Sequence, residues 1–427
     1  MTHVADPPRP ADTAAPDWWR RPRLDIIDDR LHLGGVELEP LGRAHGTPLF
    51  VHDLARPPET ARAVLAALAT TGAPTRLRFA LKANREPEVL AGLRALGTVG
   101  IDACSPGEVL HALANGWRAD EISVTATNLS DRDLDVILAH DVHLNLDGVS
   151  QLERVGRRAP GRTVGFRINP GAGAGYHEGL EYSGDRATKF GVTPDRLSDA
   201  LEAARRHRLV VDTLHFHAGS GWLGDGLPRF EAAVVAALPL LDRLIAAGCP
   251  IQEVNVGGGL GRVARQDEVP VDLTAYVSVL GRHLTPYGLT IACEPGDYLM
   301  KDSAVLLGEV VTVERRAGTT FVGLDLGFNV NPSYVMYRFA QEVVPLRAPL
   351  RARTQLVTIA GHINEAGDVF AEDYPFPEVE EGELVALLNA GGYHQGQSST
   401  HCMRPLAGSV FVADDGASSF RAGSSPV

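Results

Sequence analysis

The sequence predicts an α/β plus β protein: a (β/α)8 barrel followed by a C-terminal, mostly antiparallel β domain. Three observations predict it. Between about residues 48 and 300, short apolar runs alternate with amphipathic stretches of helical period, roughly eight times over. Strand–helix units of this size imply parallel strands. After residue 300 the helical period fades and strand-like runs follow one another between turn residues. Several of the early strands also end in polar, glycine-rich clusters, as they do when the C-terminal strand ends of a barrel share one face. An open doubly wound sheet is the alternative architecture.

The elements follow in chain order. Residues 1–22, from "MTHVADPPRPADTAAPDWWRR", lack the basic start and apolar core of a signal peptide and are expected to be a disordered lead. Residues 23–47 contain "RLHLGGVELEPL", strand-like and assigned to the C-terminal β domain. Residues 48–300 form the barrel. Its expected strands are "PLFVHD", "RLRFALKA", "VGIDACS", "EISVTA", "HLNLDG", "TVGFRINP", "VDTLHFHAGS", "EVNVGGGL" and "LTIACEPG". Helical stretches such as "PETARAVLAALATTG", "PGEVLHALANG" and "SDRDLDVILAHD" lie between them. Residues 301–427 form the β domain, with strands in "AVLLGEVVTVERR", "TTFVGLDLG", "TQLVTIAGHI", "GELVALLNAG" and "SVFVADDG".

Composition excludes several function classes. A net charge of −13 and a pI near 5.6 argue against a nucleic-acid surface. No run of apolar residues is long enough to span a bilayer. Cys104, Cys249, Cys293 and Cys402 have no paired spacing, so neither a zinc site nor a disulfide framework is indicated. A reducing, cytoplasmic setting is expected.

Lysine occurs only at positions 82, 189 and 301, although the chain has 40 basic residues. Lys82 stands where an apolar run ends, in "RFALKAN". A partly desolvated lysine can become a neutral, nucleophilic amine, which arginine cannot. Other strand ends carry Asp102, Arg167, His215 and His217, Ser220, Gly257 to Gly259, and Glu294. "VGGGLG" offers unobstructed backbone N–H groups that suit a phosphate, although a tight turn reads the same way. It lacks the lysine of a nucleotide P-loop and the spacing of a dinucleotide fingerprint. A nucleophilic lysine, an anion cradle and the carboxylate of "ACEPG" together suggest pyridoxal 5′-phosphate (PLP), with an acid facing the pyridine nitrogen.

The ordered motif set "FALKAN", "DACSPGE", "FRINP", "TKFGV", "HFHAGSG", "VGGGLG", "EPG", "EAGD" and "AGGY" resembles the fold-type III PLP-dependent decarboxylases, the diaminopimelate and ornithine decarboxylase family. The resemblance runs from about residue 46 to 412. It implies a PLP-dependent decarboxylase acting through a Schiff base on Lys82 and a quinonoid. It further implies that Glu294 pairs with the pyridine nitrogen and that His217 stacks on the ring. Ser220, Gly257, Gly258, Gly259 and Tyr393 would hold the phosphate. Gly296, Asp102 and Arg167 complete the cofactor pocket. A homodimer with shared sites is implied, in which Glu365 reaches the partner's substrate. Lys189 and Asp368 match positions that pair across that interface.

Three positions depart from the family pattern. Asp297 stands where an arginine is usual, and so does Ser333, while Tyr337 is kept; these three and Glu365 are the expected substrate contacts. Asn364 occupies the place of a cysteine that resembles a general acid, so the proton donor is open, with Lys82, a water, His362 and Cys402 as candidates. The distal pocket is expected to be acidic and to disfavour a far carboxylate. The substrate is a free amino acid or one carried on a larger scaffold, such as a carrier protein. Two other functions compete: a PLP-dependent racemase or epimerase, and a non-catalytic homologue acting by protein binding. Glu294 argues against the first, and retention of Lys82, His217 and Tyr393 against the second.

Overall fold

The computed structural model describes residues 17–175, 181–184, 187–339 and 341–425. The chain divides into two compact units. One comprises Leu54–Val263 and Glu268–Asp302; the other takes in the chain up to Asp53, Ala264–Asp267 and the chain from Ser303.

The first unit is a closed barrel of eight parallel strands. In order these are Thr75–Ala80, Val99–Ala103, Ile122–Thr125, His143–Leu146, Thr163–Arg167, Val210–His215, Glu253–Asn255 and Thr290–Cys293. The last closes on the first with Ile291 opposite Thr75. Local sequence sets the helix starts between them. Ser130 caps Asp131–Leu138 by accepting the Asp133 N–H while Asp133 reaches back to the Ser130 N–H. Ser105 caps Pro106–Ala114 in the same sense, accepting from Glu108 N. Each helix lays an apolar stripe on the strands, as Leu152 and Val155 do in Val149–Arg158. Inside the barrel, Arg78 bridges to Glu253 at 2.7 Å, with both side chains below one-tenth exposed.

The second unit is built on a nine-stranded, mostly antiparallel sheet. Its main path runs Val369–Phe376, Gln355–Ala360, Thr319–Leu324, Ala304–Arg316, Leu49–Asp53, Gly408–Val412 and Ser418–Arg421. Leu384–Leu387 pairs with both Ala304–Arg316 and Val343–Pro345. Alternate residues of Leu49–Asp53 serve two cores. Phe50 packs with Leu306, Leu324 and Leu387 on one face, and Leu49 and Val51 pack with Val305, Leu307 and Val410 on the other.

Three expectations are corrected. "PLFVHD" is no barrel strand: Leu49–Asp53 lies in the β sheet, antiparallel to Ala304–Leu307 and parallel to Gly408–Val412. The expected disordered lead ends too late, because Trp19 is 4% exposed within a β-unit core; residues 1–16 of that expectation lie outside the described residues. "RLHLGGVELEPL" does join the β unit, through a three-stranded sheet of Leu24–Ile27, Arg30–Leu33 and Val36–Glu37, but its end is the helix Leu38–His45. Among the described residues, no helix is long and apolar enough to cross a membrane.

Candidate active site

Parallel register brings the barrel residues together. Ala80 lies opposite Asp102, so Lys82, two residues on in the turn Leu81–Ala83, stands at the same end of the barrel. The Lys82 side chain is exposed at that end, whereas Asp102 is buried. Burial, and then the charge of Glu294, push Asp102 well above the usual carboxylate range against the pull of Lys82. Asp102 Oδ1 has no hydrogen-bond partner among the described residues.

Glu294 ends the last strand and is 4% exposed. His215 Nε2 lies 3.0 Å from its Oε2, and Asn255 Nδ2 donates to its Oε1 at 2.5 Å. Burial resists its charge, but His215, Arg78 and Asn255 outweigh that and hold the carboxyl at about 2. Burial also pushes His215 down, so the imidazole is a neutral donor through Nε2. Asn255 accepts the Gly257 N–H at 2.9 Å through its other end, and Glu294 N–H donates to Gly257 O at 2.8 Å. One asparagine thus ties the carboxylate to the glycine turn. Neither His215 nor Asn255 was assigned a role from sequence. The available signal was their position at a strand end beside His217 and Gly257.

His217 is half-buried. Burial first, then Lys82 and Arg167, push it well below its ordinary value, so it is neutral. Its Nδ1 accepts the Gly258 N–H at 3.2 Å, and the Tyr182 ring meets it edge-on at 4.5 Å. Gly257 and Gly259 have φ of +69° and +102°, and a Cβ at Gly259 would lie 2.2 Å from the Gly219 carbonyl oxygen, so no other residue fits there. The Gly257 and Gly258 N–H groups are taken by Asn255 and His217. Ser220 is half-buried beside this turn, its N–H bonded to Ala174 O at 3.3 Å. Arg167 is buried, its guanidinium 4.5 Å from the Phe190 ring centroid.

Gly296 and Asp297 are buried on the segment after Glu294. Asp297 is paired within the barrel unit: Lys301 Nζ lies 2.7 Å from its Oδ1, with both side chains below one-tenth exposed. Beyond it, Arg262 stacks at 3.8 Å on the Tyr298 ring, and Arg56 bonds Asp302 at 2.7 Å.

The remaining candidates lie in the β unit. Ser333 is buried, its hydroxyl 3.5 Å from Tyr393 O. Tyr337 accepts from Gln397 Nε2 at 2.6 Å and meets the Tyr393 ring edge-on at 6.4 Å. Tyr393 has φ of +62°, a left-handed conformation that non-glycine residues seldom adopt. Asn364 and Glu365 sit at the exposed tip of a turn. Asp368 closes that turn, accepting from Ile363 N at 2.6 Å and Phe328 N at 2.7 Å. Asp368 is buried, and its pairing with Lys189 of a second chain belongs to the proposed homodimer. Lys189 Nζ lies 5.1 Å over the Phe190 ring. Burial first, then Arg404, lower His362 to about 4.

Comparison with known proteins fits this arrangement. The family model described as pyridoxal-dependent decarboxylase, pyridoxal binding domain, matches residues 59–301. The diaminopimelate decarboxylase of Methanothermobacter thermautotrophicus is 34% identical over 405 residues, covering 91% of this chain and 92% of that protein. That of Streptomyces coelicolor is 32% identical over 429 residues, covering 95% and 91%. The crystal structure of diaminopimelate decarboxylase from Helicobacter pylori, complexed with L-lysine, superposes with a TM-score of 0.81 at 25% identity, covering 91% and 97%. A chain with Lys82 at the barrel's mouth and a buried glutamate at its last strand end thus matches these relatives along nearly its whole length. The chain belongs to the pyridoxal-dependent decarboxylase family and is a PLP-dependent carboxy-lyase acting on an amino acid.

Proposed function

We propose that this enzyme removes the α-carboxylate of an amino acid at the C-terminal face of its barrel, with Lys82 carrying the cofactor and Glu294 facing its pyridine nitrogen. The ionised carboxylate of Glu294, held by two neutral donors, carries this reading. A carboxylate has about four lone-pair sites, so beyond these two donors it can still accept a pyridinium N–H. Asp102 Oδ1 and His215 Nδ1 are further buried polar atoms that lack partners among the described residues. The amine of Lys82, the neutral face of His217, the Ser220 hydroxyl and the backbone at Gly259 and Gly296 suit the aldehyde, ring and phosphate of PLP.

When bound, the cofactor draws electrons from the bond between the α-carbon and its carboxylate. The residues set the conditions for it. His215, Arg78 and Asn255 keep Glu294 ionised against its burial, so it would hold a proton on the pyridine nitrogen. Lys82 is exposed, which leaves room to exchange with a substrate amine. Arg78 and Arg167 balance the buried carboxylates of Glu253, Asp102 and Glu294. In this reading Tyr393, Ser333, Tyr337 and Glu365 come from the second subunit of a homodimer.

The relatives' name and the L-lysine held by the Helicobacter pylori enzyme support a substrate with a polar far end. In this chain, Ser333 supplies no guanidinium and Asp297 is neutralised by Lys301. Glu365 then sets the charge of the distal pocket, which favours a cationic or neutral far end over a carboxylate. A decarboxylation screen over lysine, ornithine, arginine, diaminopimelate and acyl-linked amino acids tests the substrate. Diaminopimelate turnover as efficient as that of lysine or ornithine refutes the pocket argument. Lys82→Ala tests the site itself and should abolish both the borohydride-sensitive chromophore and carbon dioxide release.

A further inference from the structure

We propose that Tyr182 is a positioning residue of this site: its ring fixes the plane of the His217 imidazole, so that His217 is already set for the cofactor ring before PLP binds. The inference rests on the reading of the site above, in which His217 lies against the pyridine ring. Every residue it uses belongs to the barrel unit. The Tyr182 and His217 ring centroids lie 4.5 Å apart, with their planes at 77°. Edge-on aromatic pairs at this spacing attract and prefer one mutual orientation. The 3.2 Å bond that His217 Nδ1 accepts from the Gly258 N–H also sets that plane. The torsion that turns an imidazole about its Cβ–Cγ bond is broad when nothing restrains it. A bond in the plane and a ring set across it leave one orientation. The same imidazole is near enough to Lys82 and Arg167 to feel both charges.

A second set of contacts builds Tyr182 into place. Ser183 is 1% exposed and donates to Asn169 Oδ1 at 2.5 Å. Asn169 Nδ2 donates to Thr188 Oγ1 at 3.2 Å, and the Thr188 hydroxyl donates to Tyr182 O at 3.0 Å. Asn169, just past the strand Thr163–Arg167, thus holds both Ser183 and the group bonded to the Tyr182 carbonyl. The segment is also pressed against the residue that follows His217. A Cβ on Gly173 would lie 2.0 Å from Ala218 O and 2.7 Å from Ser183 O, and Ala174 N–H donates to Ala218 O at 2.9 Å.

Phe190 continues the row. Its ring lies 5.2 Å from that of Tyr182, and the Arg167 guanidinium lies 4.5 Å from it on the way back to the barrel. Arg167, Phe190, Tyr182 and His217 therefore form one contiguous wall. These are contacts of the Tyr182 ring, so the ring and not the hydroxyl is what the site requires.

The test titrates full-length chains freed of PLP with PLP, followed by visible absorbance and circular dichroism. Tyr182→Ala should weaken PLP binding roughly fivefold, the worth of an edge-on aromatic pair. It should also reduce the dichroism of the bound cofactor, because His217 no longer holds one angle against it. Tyr182→Leu keeps apolar volume without an aromatic edge; it should fold as wild type does and lose as much as Tyr182→Ala. Tyr182→Phe keeps the ring and should restore both signals, which a hydroxyl-dependent role would not allow. In a His217→Ala background, Tyr182→Ala should cause no further loss, since Tyr182 acts through His217. Wild-type affinity and dichroism in Tyr182→Ala or Tyr182→Leu overturn the proposal. So does a loss that Tyr182→Phe leaves in place, or the same loss repeated in the His217→Ala background. Lys82→Ala chains that keep a borohydride-sensitive chromophore would instead overturn the reading of the site, whatever Tyr182 does.

Discussion

Replacing Lys301 with methionine removes one partner of the buried pair with Asp297 and leaves a carboxylate enclosed without its cation. At 2.7 Å and an effective dielectric of about 20, the lost Coulomb attraction is about 6 kcal/mol. Relief of the lysine's own burial offsets part of it; burial already lowers Lys301 from its ordinary value, against the pull of Asp297. Removing one member of such a pair costs about 3–5 kcal/mol net. For a unit of the barrel's size each kcal/mol moves the melting temperature by roughly 2 °C, so the barrel transition should fall by about 6–10 °C. Replacing both residues, with Asp297→Leu added, should recover most of that fall, because an apolar pair of similar volume is often no less stable than the ions. Differential scanning calorimetry of the four proteins completes a double-mutant cycle. A melting temperature within 2 °C of wild type for Lys301→Met, or additive effects in the cycle, would show that the pair is not a coupled buried ion pair.

Three further outcomes are expected. Asn255→Ala removes the amide that links Glu294 to the glycine turn; PLP should bind at least tenfold more weakly, since a hydrogen bond to a charged group is worth about 1.5–3 kcal/mol, and visible absorbance on titration reads it. His52 is 1% exposed, and burial holds it at about 4 despite its contact with Gln395. The unfolded state therefore binds the extra proton between pH 6.5 and 4, and the β unit should lose about 3 kcal/mol on acidification through that window. His52→Leu should flatten that slope in urea melts at pH 7 and pH 4.5, and an unchanged slope would reject the assignment. Mixing inactive Lys82→Ala chains with inactive Tyr393→Phe chains should restore partial activity if each site is built from two chains; no recovery after confirmed subunit exchange counts against shared sites.

The barrel was legible because each of its strands is bounded by turn residues and followed by a helical stripe. The run at Leu49–Asp53 was misplaced for a physical reason. All five residues are buried, and a strand enclosed on both faces reads the same in a barrel as in the middle of a two-faced sheet. The strand Val369–Phe376 escaped notice because its central residues are exposed and it turns through Asp373 at φ of +47°. At the site, Lys82, Glu294 and His217 were readable as polar residues at strand ends. The support given by His215 and Asn255 was not, because it arises between strands that register brings side by side, 79 and 39 positions from Glu294. The Asp297–Lys301 pair is spaced for one helical turn, yet nothing in the sequence says that this turn is buried.

The strand Leu49–Asp53 also bears on how the chain is made. Its parallel partner, Gly408–Val412, leaves the ribosome some 350 residues later. At about 5–20 residues per second, that is a wait on the order of 20–70 s. Once Cys293 has emerged the barrel has all of its strands and can close, while the apolar strand Leu49–Asp53 keeps both edges unpaired until Ala304–Leu307 follows. A nascent chain arrested before Ala304 should therefore hold a folded barrel and still recruit chaperones through Leu49, Phe50 and Val51. The β unit, whose pairings span nearly the full length of the sequence, should be the slow step in refolding.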